Sequence, residues 1–183
     1  KVNVQMNITN YNPNVVFIGA KETGKTTTIE KLWHTNRTSF QVRENIEGRG
    51  PIVYSVSELP FISFSVESEI NEWITKNEIF EQLKKADVIV FLLPIDNITF
   101  SRKAKFVKQL QEAKAIKDSV SFIIGLSQIE NYIEVGEFRG TNIISLDDCS
   151  NIIERKTVFY KEFSRYINGI DFDISNVIPF SYL

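Results

Sequence analysis

A three-layer α/β domain with a mixed six-stranded sheet is the fold class this sequence predicts, and three observations predict it. Wholly apolar runs at 15–18, 88–93 and 120–125 read as strands covered on both faces. Stretches with apolar residues at helical spacing separate these runs, and strands alternating with helices mean a largely parallel sheet. Two segments that alternate apolar and small polar residues, 51–57 and 61–66, read as an antiparallel hairpin about the tight turn Glu58-Leu59-Pro60.

The elements follow in chain order. Strand 15–18 ends at Gly19. A helix over 26–34 sets Ile29, Leu32 and Trp33 on one face, and Asn36, Thr38 and Ser39 end it. Residues 35–50 are polar and read as a loop that leads into the hairpin. A helix over 70–85 turns Ile70, Trp73, Ile74, Phe80 and Leu83 inward. Strand 88–93 is stopped by Pro94. The stretch 99–117 is helical, with Phe100, Ala104, Val107 and Leu110 at core spacing. Strand 120–125 and a loop over 131–148 come next. A helix within 146–167 buries Ile152, Phe159, Phe163 and Tyr166, and 176–180 is the last strand.

The 183 residues suit one domain with a full core. A hydrophobic share of 43% and a charged share of 24% are ordinary globular values, and a formal net charge of -2 does not make a general polyanion binder. Cys149 is the single cysteine, so no internal disulfide forms; it reads as packing, and a reducing, cytoplasmic setting is expected. One histidine, His34, and one cysteine also argue against structural zinc. No apolar run is long enough for a transmembrane helix, and the polar residues 1–12 carry no signal-peptide pattern. Because the sequence begins at Lys1 rather than Met, residues 1–183 are expected to be a single domain of a longer protein.

Gly19-Ala20-Lys21-Glu22-Thr23-Gly24-Lys25-Thr26 has the spacing of a Walker A phosphate-binding loop, followed by Thr27 in the opening helix. Gly19 and Gly24 permit the backbone angles and the close approach that a phosphate needs. The helix that begins near Lys25 aims the positive end of its dipole at the anion. Lys25 supplies a full charge to the β- and γ-phosphates, and the Thr26 hydroxyl is the expected Mg²⁺ ligand. The preceding apolar strand and the following amphipathic helix are the context that such a loop requires.

Phosphate loop, helix, long polar loop, hairpin, helix and the strand Ala86-Asp87-Val88-Ile89-Val90-Phe91 occur in an order that resembles a divergent Ras-like, translation-factor-related P-loop small GTPase domain. The resemblance covers nearly the whole chain. It implies a P-loop NTPase fold of Ras-like topology, with GTP or GDP and Mg²⁺ as ligands. The family's switch threonine has no match in 41–50, which holds neither Thr nor Ser; Thr38 and Ser39 lie earlier and read as helix-ending caps. The family's Asp-x-x-Gly corresponds to Ser65-Val66-Glu67-Ser68, where Glu67 either holds the Mg²⁺ water or opens an acidic helix with Glu69 and Glu72. The guanine-reading motif corresponds to Ser127-Gln128-Ile129-Glu130, in which Glu130 accepts from the guanine edge and Gln128 covers the ring. Ser181 stands where the family's backbone touches the base. The family's last helix is not contained in the residues given. Apolar side chains near Val16 and Ile178 are therefore expected to face water unless a neighbouring molecule, a further domain or a shifted helix covers them.

The resemblance implies a GTP/GDP-binding switch domain with Mg²⁺-dependent hydrolysis that is slow or needs a protein partner, with Lys25 and Glu67 as the catalytic candidates. Two alternatives stay open: a pseudo-GTPase scaffold that acts through protein partners, and an ATP-binding P-loop protein. A protein effector or regulator is expected, a homodimer is compatible, and no nucleic acid is expected because the aromatics sit at core spacing. Arg102, Lys103, Lys105, Lys108, Lys114 and Lys117 make one helix basic, and Glu67, Glu69, Glu72, Glu78 and Glu81 make the preceding one acidic; these read as solvated faces.

Overall fold

The computed structural model describes residues 12–96, 101–132 and 146–181. Among these the elements are β1 (Asn14–Gly19), α1 (Lys25–Trp33), β2 (Ser39–Ile46), β3 (Gly50–Glu58), α2 (Glu67–Thr75), α3 (Asn77–Lys85), β4 (Val88–Pro94), α4 (Ser101–Glu112), β5 (Ser121–Ser127), α5 (Ile129–Tyr132), α6 (Leu146–Ser164) and β6 (Val177–Pro179). The sheet has six strands in the order β2-β3-β1-β4-β5-β6. Only the β2–β3 pair is antiparallel, and it forms one edge. The expected three-layer α/β class with a mixed six-stranded sheet is therefore the observed one. Residues 97–100 and 133–145 of the expected helix start and loop lie outside the described residues, as do the side chains around Cys149.

The hairpin is not the one expected. Its first strand is β2, inside the polar stretch read as a loop, and 61–66 forms no strand. Along β2, Phe40 and Val42 oppose Val56 and Tyr54, while Arg43 and Glu44 lie at the sheet edge. Charged residues on an edge strand discourage pairing with other chains, and here they hide the strand from a reading based on polarity. The turn is made at 47–49, with the Arg49 amide donating to Ile46 O and Gly48 and Gly50 both at φ 79°. Ile62 and Phe64 alternate with Ser63 and Ser65 because they reach into the core, not because they face a partner strand. Two amides keep this segment against β1: Leu59 donates to Phe17 O and Ile62 to Gly19 O.

The single helix expected over 70–85 is two helices. Lys76 takes an extended conformation (φ −60°, ψ 121°) between them, and the Thr75 hydroxyl bonds back to Asn71 O and Glu72 O at the break. The main core lies on the face carrying α2, α3, α4 and α6. There Phe91 stacks on Phe64 and meets Phe106, Phe122 and Phe163 edge to face, at 5.8–6.4 Å between centroids.

Among the described residues the opposite face carries α1 alone, with a groove of about 660 Å³ along β1, β4, β5 and β6. Val15, Phe17, Val90 and Ile178 line it, and Ile178 is 46% exposed. The expectation for Val16 is corrected: it is 2% exposed and packs in the main core, because neighbours along a strand point to opposite faces.

Phe91 is expected to be the costliest single truncation in the molecule. Phe91→Ala removes a fully buried ring with four aromatic neighbours and should cost about 3–5 kcal/mol. A lower urea midpoint at unchanged slope would show this, and a loss below about 1 kcal/mol would contradict the packing described.

Candidate functional site

β1 is buried along its second half and delivers Gly19 to the C-terminal edge of the sheet, where α1 starts. The space at Gly19 admits only hydrogen: a Cβ there would lie 2.8 Å from Thr23 Oγ1 and 2.9 Å from Leu92 O. The loop then folds through two residues in the left-handed region, Glu22 (φ 63°) and Gly24 (φ 91°). The Thr23 hydroxyl donates to Ala20 O at 2.9 Å and closes the turn from inside.

Lys25 is the first residue of α1, and only 7% of it is exposed. Its Nζ donates to Gly19 O and to Ala20 O, each at 3.0 Å. Burial pushes this ammonium below the usual lysine range, and the Glu58 carboxylate partly opposes the shift. Next along α1, the exposed Thr26 hydroxyl donates to Glu58 Oε1 at 2.7 Å. Lys21, Glu22 and Thr27 are exposed around the loop.

Glu58 is the functional candidate that the sequence reading missed. It is the last residue of β3 and sits opposite Phe17 in the parallel β1–β3 register. Taking 61–66 as a strand placed this acid inside a turn and pushed the acidic position on to Glu67. Once β2 is recognised, the signal is plain: an acid ends the strand beside the phosphate loop. Glu67 instead heads α2, exposed, at a hollow shared with Arg102, Lys105 and Gln109. The carboxylate bonded to Thr26 is that of Glu58, not Glu67. The β3 end also meets Thr38, whose carbonyl accepts from the Glu58 amide at 2.7 Å. Thr38 thus lies directly before β2 and beside the site, rather than at a helix end.

The end of β5 is bolted to the same loop. Ser127 is fully buried; its hydroxyl lies 2.9 Å from Thr23 O, to which it donates, with Leu93 O at 3.4 Å. With its hydroxyl occupied this way, Ser127 braces the loop rather than offering a group to a ligand. The Gln128 amide donates to Glu22 O at 3.0 Å, from a residue itself at φ 61°. Glu130 follows on α5, and its Oε2 is buried with no hydrogen-bond partner among the described residues. Ser181 lies beyond β6 at the end of the apolar groove, held near β5 by the Phe180 amide on Leu126 O. The fold therefore gathers Lys25, Thr26 and Glu58 at one point. It ties Gln128 to the loop, sets Glu130 on the short helix that follows, and leaves Glu67 at the head of α2.

No protein-family model matches this sequence, and no curated protein matches it. Solved structures do match its fold. A variant of SsGBP superposes with a TM-score of 0.61 at 13% identity, over 94% of this chain and 50% of that one. A variant of Era from Aquifex aeolicus bound to GDP and AlF4⁻ gives 0.53 at 15% identity, over 92% and 50%. Toc33 from Arabidopsis thaliana with Mg²⁺ and GMPPNP gives 0.56 at 12%, over 93% and 70%. The chain spans about half the length of the first of these structures. At such identities the likeness speaks to fold, and with the strand order and loop above it is decisive there: the chain has the fold of the P-loop GTPases, in a divergent form of Ras-like topology.

Proposed function

We propose that this domain binds GTP and GDP as Mg²⁺ complexes and works as a switch-type module with slow or partner-dependent hydrolysis. The observation that carries the reading is the convergence of Lys25, Thr26 and Glu58 at the end of β1. Lys25 Nζ, held by two loop carbonyls, stands ready to exchange them for phosphate oxygens. Thr26 and Glu58 put a hydroxyl and a carboxylate oxygen within 2.7 Å, a hard-oxygen pair of the kind Mg²⁺ prefers. Bound there, the ion would neutralise charge on the terminal phosphates and polarise them toward attack by water. Thr26 would be its direct ligand, with Glu58 acting through water and Thr38 as the threonine that the fold brings alongside.

Guanine rather than adenine is favoured by Glu130. Glu130 stands after the end of β5, and a carboxylate there accepts from a ring N–H and an exocyclic amine together. Adenine offers no such donor pair. The GDP- and GMPPNP-bound neighbours support this reading by fold. Slow turnover follows from residues 59–66, which contain hydroxyls at Ser63 and Ser65 but no carboxamide to orient a water. That same feature favours, as a second reading, a domain that holds the nucleotide without turning it over and acts through protein partners, including a second copy of itself.

Calorimetric titration with GDP and GTP in Mg²⁺ tests the site. Lys25→Ala should weaken both by on the order of 100-fold, since it removes charge-assisted bonds to phosphate; unchanged affinity would remove the phosphate loop from the function. Glu58→Gln should leave metal-free GDP binding near the wild-type value and abolish most of its strengthening by Mg²⁺. If Mg²⁺ helps both proteins equally, Glu58 has no part in holding the ion.

Base choice is read by displacing fluorescent GDP with unlabelled GTP and ATP. Glu130→Ala should cost GTP roughly 10-fold or more and leave ATP unaffected. Equal displacement by ATP in the wild type would replace guanine specificity with an ATP-binding reading. Single-turnover phosphate release from GTP, measured on the domain alone, then separates slow hydrolysis from none.

A further inference from the structure

A second cavity, of about 720 Å³, opens beside the phosphate loop. Its walls are Ala20 and Lys21 of the loop, residues 61–65, and the first turn of α4. Among the described residues its lining holds three cationic side chains, Lys21, Arg102 and Lys103, with the hydroxyls of Ser63, Ser65 and Ser101, and no carboxylate. Cations gathered in a concave site without counter-charge mark a place for an anion.

Lys103 is the decisive member. It was expected on a solvated helix face, yet only 9% of it is exposed. No hydrogen bond or ion pair occupies its Nζ among the described residues; its one recorded contact is the Phe64 ring, 5.7 Å from centroid to Nζ. Desolvation lowers its pKa with nothing to compensate. The stem of Lys103 is buried, while its Nζ opens on the cavity without a protein partner among the described residues, so the charge is placed to meet an anion that arrives from outside. Arg102 plays a different part. Its Nη1 donates to Phe64 O at 2.8 Å and to Ser65 O at 2.7 Å, which fixes the segment forming the opposite wall.

We propose that this cavity is an oxyanion site of the phosphate class, with Lys103 as the charge that binds the anion and Arg102 as the residue that positions its wall. Two sources share this chemistry: the terminal phosphate of the nucleotide on the adjoining loop, and free inorganic phosphate. The first source rests on the nucleotide reading above; the second does not need it.

The test uses the full chain and Lys103→Gln, with Lys103→Arg as the charge-keeping control. Mg²⁺-GMPPNP and Mg²⁺-GDP are titrated by calorimetry, and inorganic phosphate is titrated onto the GDP-loaded and the nucleotide-free protein by ³¹P line broadening. If the terminal phosphate is the occupant, Lys103→Gln loses about 10-fold or more in GMPPNP affinity, GDP stays within about twofold, and Lys103→Arg keeps most of the binding. If free phosphate is the occupant, wild type binds it saturably and Lys103→Gln does not. The glutamine variant should also melt at or above the wild-type temperature, because it removes a partly desolvated charge that has no partner among the described residues. Should it melt lower, Lys103→Met is judged by the same criteria.

Binding of GMPPNP, GDP and phosphate unchanged within about twofold would overturn the proposal, as would an equal loss for GMPPNP and GDP without phosphate binding. A wild type that binds phosphate but no nucleotide would sink the nucleotide reading and leave this site standing. A wild type that binds neither would sink both.

Discussion

Lys25 carries a full charge at the start of α1, and only 7% of it reaches solvent. Such a group is expensive to bury, and it stays folded there because the Gly19 and Ala20 carbonyls accept from it while Glu58 supplies opposite charge nearby. Much of the local structure serves that arrangement. The carbonyls point at Nζ only if the chain passes Leu92 without a Cβ at Gly19 and turns left-handed at Glu22 and Gly24. The turn keeps its shape because Thr23 bonds back to Ala20, and because Ser127 and Gln128 tie β5 to the loop backbone. A loop held from three sides keeps one backbone shape, with its groups already ordered.

Sheet order then decides which acid joins the lysine. β3 runs parallel to β1 and ends level with the loop, so its last side chain lies over the start of α1. Glu58 takes that place by topology alone. The same hairpin returns the chain past Thr38, so the segment before β2 and the end of β3 share a hydrogen bond at the site. Anything that orders or frees the edge hairpin is thereby felt at the residues that would hold the metal.

The charge around the loop is uneven. Among the described residues Glu130 presents a buried acceptor without a donor. In the cavity beside the loop, Lys21 and Lys103 present cations without carboxylates among those residues.

The sequence by itself determined the fold class and where the glycine-rich turn between β1 and α1 lies. Both rest on local signals: a fixed spacing of glycines and Lys25, and apolar runs whose periodicity reports burial on one or two faces. It also placed Gln128 and Glu130 correctly after a buried strand. The tertiary structure alone decided the rest, because those features depend on which segments become neighbours. The strand in 39–46 is charged on its edge side and shows its register only against Tyr54 and Val56. The alternation in 61–66 reflects a core boundary, not a ladder. The acid on Thr26 is therefore Glu58, 32 residues away in sequence, a pairing that no local pattern encodes. Lys103 belongs to a run of basic residues that looks solvated; only the closure of residues 61–65 over α4 buries it and leaves its charge unpaired.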